Sequence, residues 1–259
     1  MAAKTYLAGD LGGTKTLLSI YRDIDGQLQK EHSHRYRSAD WQDLESMLRD
    51  FLEQTPTELP KPTTSCIAVA GPVHQGSAKL TNLPWEMSET ALSAATGLKR
   101  LELVNDFAVL IHGLSHFSDE QQVVLQIGLH RSAPAPAGAE NGPVAILGAG
   151  TGLGMARGLP AAGRWLALPS EGGHREFAPR SEEEWELAQW LKQDLGLQRL
   201  SVERIVSGTG LGHVMHWLLH RQTGIQHGLK AQAQAWRTMS ADQPGYLDLP
   251  ALTLSLIHI

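Results

Sequence analysis

Tyr6-Leu7-Ala8-Gly9-Asp10-Leu11-Gly12-Gly13-Thr14-Lys15 decides how this chain is read. A short apolar strand runs into a glycine turn, and strand-like residues resume from Thr16 to Tyr21. Two strands joined by a glycine loop form a hairpin. The theme returns about 140 residues later, which suggests internal duplication of one α/β unit. There Val144–Leu147 leads into Gly148-Ala149-Gly150-Thr151-Gly152-Leu153-Gly154. The likeness is stronger in pattern than in letters. A smaller α/β domain at residues 1–116 and a larger, truncated one at 117–259 are expected.

Working outward from the first turn, Asp25-Gly26 signals a second hairpin into a polar strand, Gln27–Arg37. Leu44, Leu48 and Phe51 recur at helical spacing after Trp41, and Pro56–Pro62 breaks that helix. Cys66–Ala70 reads as a buried strand with Cys66 in the core. Ser88 caps a short helix that ends at Gly97, and Leu101–Val104 is another buried strand. The predicted order is βββαβαβ. Residues 130–142 form a Pro/Ala/Gly-rich surface loop. Ser181-Glu182-Glu183-Glu184 is a capping box for a helix with Leu187, Leu191 and Leu195 on one stripe, closed by Gly196.

Composition removes several classes of function. Apolar residues make up 42% of the 259 and charged residues 19%, ordinary for a folded chain. The net charge of −5 and the lack of any Lys/Arg stripe argue against nucleic acid and against an anionic membrane surface. One cysteine, Cys66, excludes disulfides within the chain and makes cysteine-based zinc sites a poor guess. No apolar run approaches the roughly 18–20 residues of a membrane span. The first residues, MAAKTYLAGD, carry no apolar signal segment, so a cytoplasmic protein is expected.

Glycine stands out, at 26 residues. Gly9 to Lys15 is neither a Walker A loop nor GxGxxG. Glycines in a tight turn let backbone N–H groups approach an oxyanion closely, and Asp10 at the strand end suits a hydrated magnesium ion. A plain hairpin would also use such glycines. The second turn has four glycines in seven residues, more than a β-turn needs. Together the two turns point to a polyphosphate.

Asn105-Asp106 closes a buried strand, where open α/β sheets bind ligands and where an Asp can take a proton from a hydroxyl. Taken alone, the pair reads first as a helix N-cap. Glu171 and His174 flank two glycines and can each bond a sugar hydroxyl; an ordinary turn would look the same. Glu203 reads alone as a first-turn carboxylate heading a helix. His213, His216 and His220 share helical spacing but lack a carboxylate or thiol partner nearby in sequence, a poor metal site.

In order, these motifs resemble the bacterial ATP-dependent glucokinases of the sugar-kinase, Hsp70 and actin fold superfamily. The matching stretches are GDLGGTK (9–15), AGPVHQGSAKLTNLPW (70–85), LELVNDF (101–107), LGAGTGLG (147–154), LPSEGGHREFAPRSEEE (168–184) and VERIVSGTGL (202–211). ROK-type sugar kinases are a related option, but their cysteine-rich zinc motif cannot be built from one cysteine. The resemblance implies an α/β fold of two duplicated ribonuclease-H-like units, the actin-like ATPase fold, with a cleft between them. It implies phosphoryl transfer from Mg-ATP to the 6-hydroxyl of glucose, the first step of glycolysis.

The roles it implies are specific. Gly9, Asp10, Leu11, Gly12, Gly13 and Thr14 would form the first phosphate loop, with Asp10 near the magnesium. Gly150, Thr151 and Gly152 would belong to the second. Asn82, Asn105, Asp106, Glu171, His174 and Glu203 would hold the sugar, with Asp106 the base. Lys15 departs from the Asn often found there. A homodimer is implied for the full-length form. The family's later adenosine loop and returning helix have no match here, and the chain closes on LTLSLIHI inside an apolar run. The expectation is an incomplete second unit, poor solubility and little turnover. The alternatives are a kinase of another hexose, a non-catalytic sugar-binding regulator and an inactive fragment.

Overall fold

Alternation builds the first sheet. In β1 (Thr5–Leu11), Leu7, Gly9 and Leu11 point inward and Asp10 is exposed, as period-two geometry requires. A computed structural model of the protein describes residues 4–80, 83–126, 142–221, 229–236, 238–239 and 248–251. β2 (Lys15–Ile24) returns antiparallel to β1 and β3 (Gln27–Arg37) antiparallel to β2. The β2–β3 turn places Asp25 and Gly26 at φ 53° and 82°, the paired positive values that match strand twist in two-residue hairpins. β4 (Thr64–Val69) then runs parallel to β1.

Helix α1 (Leu44–Gln54) begins at Asp43, whose carboxylate accepts from the Ser46 N–H at 2.8 Å. It buries Leu44, Met47, Leu48 and Phe51. These join Leu7, Leu11, Leu18, Ile20, Ile67 and Val69 in one core.

Between β4 and the last strand of this sheet the chain forms β5 (Val73–His74), β6 (Ser77–Lys79) and β7 (Glu86–Ser88), a small antiparallel sheet. The order βββαβαβ omits these three. They are too short for alternation to register, and Pro72, Gly76 and Pro84 mask them as loop. α2 (Glu89–Thr96) starts after Ser88 and ends on left-handed Gly97. Ser88 occupies the cap position, but its hydroxyl makes no capping bond. The Gly76 carbonyl takes the Glu89 N–H instead, at 2.9 Å.

β8 (Arg100–Asn105) pairs parallel with β4 and completes the order β3-β2-β1-β4-β8. It is an edge strand, and the Glu89 carboxylate accepts from its Leu103 N–H at 2.8 Å. α3 (Asp106–Gly113) follows directly. Cys66 is not a core residue. Ser65, Ile67 and Val69 take the buried face of β4, leaving Cys66 half-buried. Burial, then the Glu102 and Glu89 carboxylates, push its thiol above the ordinary range.

The second half opens with β9 (Val144–Ala149), β10 (Leu153–Ala161) and β11 (Arg164–Ser170), in order β11-β10-β9. Ala162 and Gly163, at φ 50° and 75°, form the β10–β11 turn. α4 (Glu182–Leu195) is capped by Ser181, which accepts from the Glu184 N–H at 3.2 Å. Glu184 reaches back one residue further than a standard capping box, to the Arg180 N–H. Left-handed Gly196 closes the helix, with Leu197 N–H donating to Lys192 O at 2.8 Å.

α5 (Gly208–Arg221) packs on α4 through Leu187, Leu191, Leu200 and Trp217. α6 (Lys230–Ala235) packs on α5 through Leu219, Ala233 and Trp236. Glu203 does not head a helix. It lies in a 3-10 turn, Val202–Arg204, and α5 starts only at Gly208. Ser207 separates the two, donating to Glu203 O at 2.7 Å and accepting from the Gly210 N–H at 2.9 Å. The chain divides into two compact units, Met1–Pro143 with Gly158–Pro169, and Val144–Arg157 with Ser170–Ile259. Among the described residues no helix is long and apolar enough to cross a membrane. The loop at 130–142 falls almost wholly outside the described residues, as does the tail at 252–259.

Candidate functional site

In the first unit the glycine turn between β1 and β2 is closed by Gly12 N–H to Lys15 O at 3.0 Å. Ser38 holds it from below: its hydroxyl donates to Gly12 O at 2.8 Å and its N–H to Thr14 O at 3.0 Å. Asp10 and Thr14 are exposed beside this turn. Leu11 differs from its neighbours. Its side chain is fully buried in the core and its carbonyl accepts from the Ala70 N–H, so the side chain itself cannot line a ligand site.

The glycines of this turn are not there for left-handed backbone. Among the described residues, glycine takes positive φ at Gly26, Gly76, Gly97, Gly163 and Gly196, all in hairpin turns or helix ends. Gly9 serves space instead, because a Cβ there would lie 3.1 Å from side-chain atoms of both Ile67 and Leu18.

At the carboxyl end of β8, Asn105 caps α3 by accepting from the Phe107 and Ala108 N–H groups at 3.1 and 3.0 Å. Its amide donates to Gly71 O and to Asp106 Oδ1, both at 3.1 Å. Asp106 Oδ1 also accepts from the Phe107 N–H at 3.0 Å. The N-cap reading of this pair is what these bonds show. Asn105 caps, and in capping it fixes the carboxylate of Asp106. Asn82 lies outside the described residues.

In the second unit three predicted residues come together. His174 Nδ1 lies 3.1 Å from Glu171 Oε2, and its Nε2 lies 3.6 Å from Glu203 Oε1. Glu203 Oε2 accepts from the Leu153 N–H at 2.9 Å. Residues far apart in sequence thus form one chain of contacts ending on the second glycine turn. The glycine pair between Glu171 and His174 has a steric cause. A Cβ on Gly173 would collide with the Leu153 carbonyl, and one on Gly172 would lie 2.7 Å from Met155 Sδ.

The second glycine turn is closed by Gly150 N–H to Gly152 O at 2.9 Å. The head of α5 lies against it: Gly208 N–H donates to Gly150 O at 2.7 Å, and the Thr209 hydroxyl donates to Thr151 O at 3.0 Å. Sequence reasoning gave Ser207, Gly208 and Thr209 no role. The only hint was their Ser-Gly-Thr-Gly spelling, another small-residue cluster at a helix start.

The three histidines of α5 do not share a site. His213 is buried, with Nδ1 2.9 Å from Arg204 O and its ring against Trp236. His216 and His220 both face the Trp190 ring. A cavity of about 490 Å³ is lined by Trp190, Asp194, His216 and His220, among others, and by none of the predicted site residues. Among the described residues no group of three or more His, Cys, Asp or Glu gathers to hold a metal. Asp10 offers one exposed hard oxygen donor, which fits magnesium shared with substrate phosphates better than a protein cage.

The family model for glucokinase matches residues 7–246. The glucokinase of Nostoc punctiforme is 39% identical over 244 residues, covering 93% of this chain and 69% of that one. The Synechocystis glucokinase is 38% identical over 256 residues, covering 95% and 70%. Among solved structures, the glucokinase from an Antarctic psychrotroph superposes with a TM-score of 0.68 at 28% identity, over 98% of this chain and 74% of that one. The glucokinase from Balamuthia mandrillaris, in complex with glucose, gives 0.66 at 21%, over 98% and 73%, and speaks for the fold. The architecture is that of the actin-like ATPase fold expected from the motifs.

Proposed function

The chain belongs to the glucokinase family, and from that premise we propose how its residues carry the ATP-dependent phosphorylation of glucose. The acceptor is the 6-hydroxyl. Its oxygen attacks the γ-phosphorus of ATP, the bond from that phosphorus to the ADP oxygen breaks, and the hydroxyl proton passes to the Asp106 carboxylate. A base is useful here only if it is aimed. Asn105 and the Phe107 N–H aim it by holding Oδ1.

Glu171, His174 and Glu203 hold the sugar hydroxyls, a role Asn82 shares. Backbone N–H groups of the turns at Gly9–Thr14 and Gly150–Gly152 receive the phosphates. Asp10 would hold a magnesium ion, which would supply charge neutralisation to the phosphate oxygens. Most of the catalysis is then positioning and charge stabilisation, as is usual for phosphoryl transfer. A homodimer in the full-length form and a cytoplasmic location belong to the same proposal.

The observation that supports it is the contact chain Glu171–His174–Glu203 ending on the Leu153 N–H, which brings these three side chains to the second glycine turn. Asp106→Asn tests it. The amide keeps the hydrogen-bonding shape and loses the proton acceptor. In the full-length form, glucose-dependent ADP release should fall by about 10²–10⁴ in kcat while glucose affinity stays close to wild type. Turnover near the wild-type rate would remove Asp106 from the reaction.

A further inference from the structure

We propose that Glu203 and Thr209 are positioning residues of the second glycine turn, and that Glu203 thereby links glucose occupancy to the turn's grip on ATP. The inference rests on the reading of Glu203 as a sugar ligand and goes beyond it. The two oxygens of Glu203 have separate tasks. Oε1 faces the His174 ring and Oε2 accepts from the Leu153 N–H. Its carboxylate also fills the space a side chain at Gly152 would occupy, since a Cβ there would lie 2.5 Å from Oε2.

Thr209 holds the other side of the turn through Thr151 O, next to the Gly208–Gly150 backbone bond. A Cβ on Gly208 would lie 2.9 Å from Gly150 O, so this approach requires glycine. Ser207 ties the two supports together by bonding both Glu203 O and the Gly210 N–H. A turn made mostly of glycine has little stiffness of its own. Its shape is set by these side chains. A ligand that engages Glu203 therefore changes the restraint on Leu153 and the turn.

Two variants separate the tasks. Thr209→Val removes one hydroxyl on the nucleotide side of this arrangement. It should raise the KM for ATP about five- to tenfold, the effect of one lost hydrogen bond, and leave the Kd for glucose within about twofold of wild type. Thr209→Ser, which keeps the donor, should restore the KM. Glu203→Gln keeps an oxygen for the Leu153 N–H but lacks the negative charge toward His174. It should weaken glucose binding at least about tenfold and hold the KM for ATP within about twofold of wild type.

The coupling is read by titrating glucose calorimetrically with and without a non-hydrolysable ATP analogue. In the wild-type chain the analogue should tighten glucose at least about threefold, and Thr209→Val should reduce that gain. Glucose binding that ignores the analogue, or a Thr209→Val variant with an unchanged KM for ATP, overturns the positioning role and leaves the sugar-kinase reading standing. A wild-type chain that binds no glucose overturns that reading and this inference with it. A Thr209→Val variant that loses glucose and ATP affinity equally shows a purely structural role and also overturns the inference.

Discussion

β1 and β9 begin the two halves with the same device, an apolar strand feeding a glycine turn, and they end in different surroundings. β1 lies inside a five-stranded sheet, paired with β2 on one side and β4 on the other. Its Leu7 is 1% exposed. β9 lies at the edge of a three-stranded sheet, and its Leu147 is 60% exposed. The local pattern sets the strand and the turn. Burial is set by what covers them, which comes from elsewhere in the chain. The two turns reflect the same division. The first stands on a sheet packed into the large core and needs little beyond Ser38 to fix it. The second is held by polar contacts from Glu203, Gly208 and Thr209.

The comparison can be broken most directly at its apolar positions. Leu7→Ala should destabilise the first unit by about 2–5 kcal/mol. Leu147→Ala should change stability by less than about 0.5 kcal/mol, as exposed substitutions do. Urea unfolding followed by circular dichroism measures both. Equal costs would mean that β9 is as well covered as β1.

The glycines sharpen it. Gly9→Ala presses a methyl between Ile67 and Leu18 and should cost about 1–3 kcal/mol as overpacking. At Gly150 a Cβ meets nothing within 4 Å and φ is not positive. Gly150→Ala should therefore be neutral or stabilising by up to about 1 kcal/mol, through the unfolded chain. Thermal melts of the two variants should move in opposite directions from wild type, or one should move and the other stay.

The last test is a pH dependence confined to the first unit. Tyr36 is buried and donates to Asp50 Oδ2 at 2.9 Å. Burial, then that bond and the Asp50 charge, hold its phenol well above the usual 10.0. Above pH 10 the unfolded chain releases this proton and the folded chain keeps it, so stability falls as pH rises. The limiting slope is about 1.4 kcal/mol per pH unit. Tyr36→Phe should lose that part of the slope. Parallel slopes for the two proteins above pH 10 would show that Tyr36 ionises alike folded and unfolded.

Much of the first sheet is legible because its signals are local. The β1 glycine turn, the Asp25-Gly26 hairpin, the Leu44–Leu48–Phe51 stripe and the Gly97 and Gly196 stops each lie within a few residues of the structure they specify. β5–β7 are not legible, since two or three residues cannot show a period. The site divides on the same line. Asn105-Asp106 and Glu171–His174 are visible as short motifs. The bond from Glu203 to Leu153 spans 50 residues and that from Thr209 to Thr151 spans 58. No local spacing encodes such contacts; only the folded path of the 3-10 turn at Val202–Arg204 and of the head of α5 past the glycine turn creates them.

One bond bears on how copies of this protein meet. β8 is an edge strand, and an edge offers its free N–H and C=O groups as a template for a strand from another molecule. Here the Leu103 N–H is already taken by the carboxylate of Glu89 at the head of α2, and Glu102, on β8 itself and paired with Arg100, adds a second acid. An incoming strand would have to displace a charged acceptor and then lie beside two carboxylates. The first turn of α2 thus occupies one template position of that edge, which disfavours sheet growth from chain to chain there.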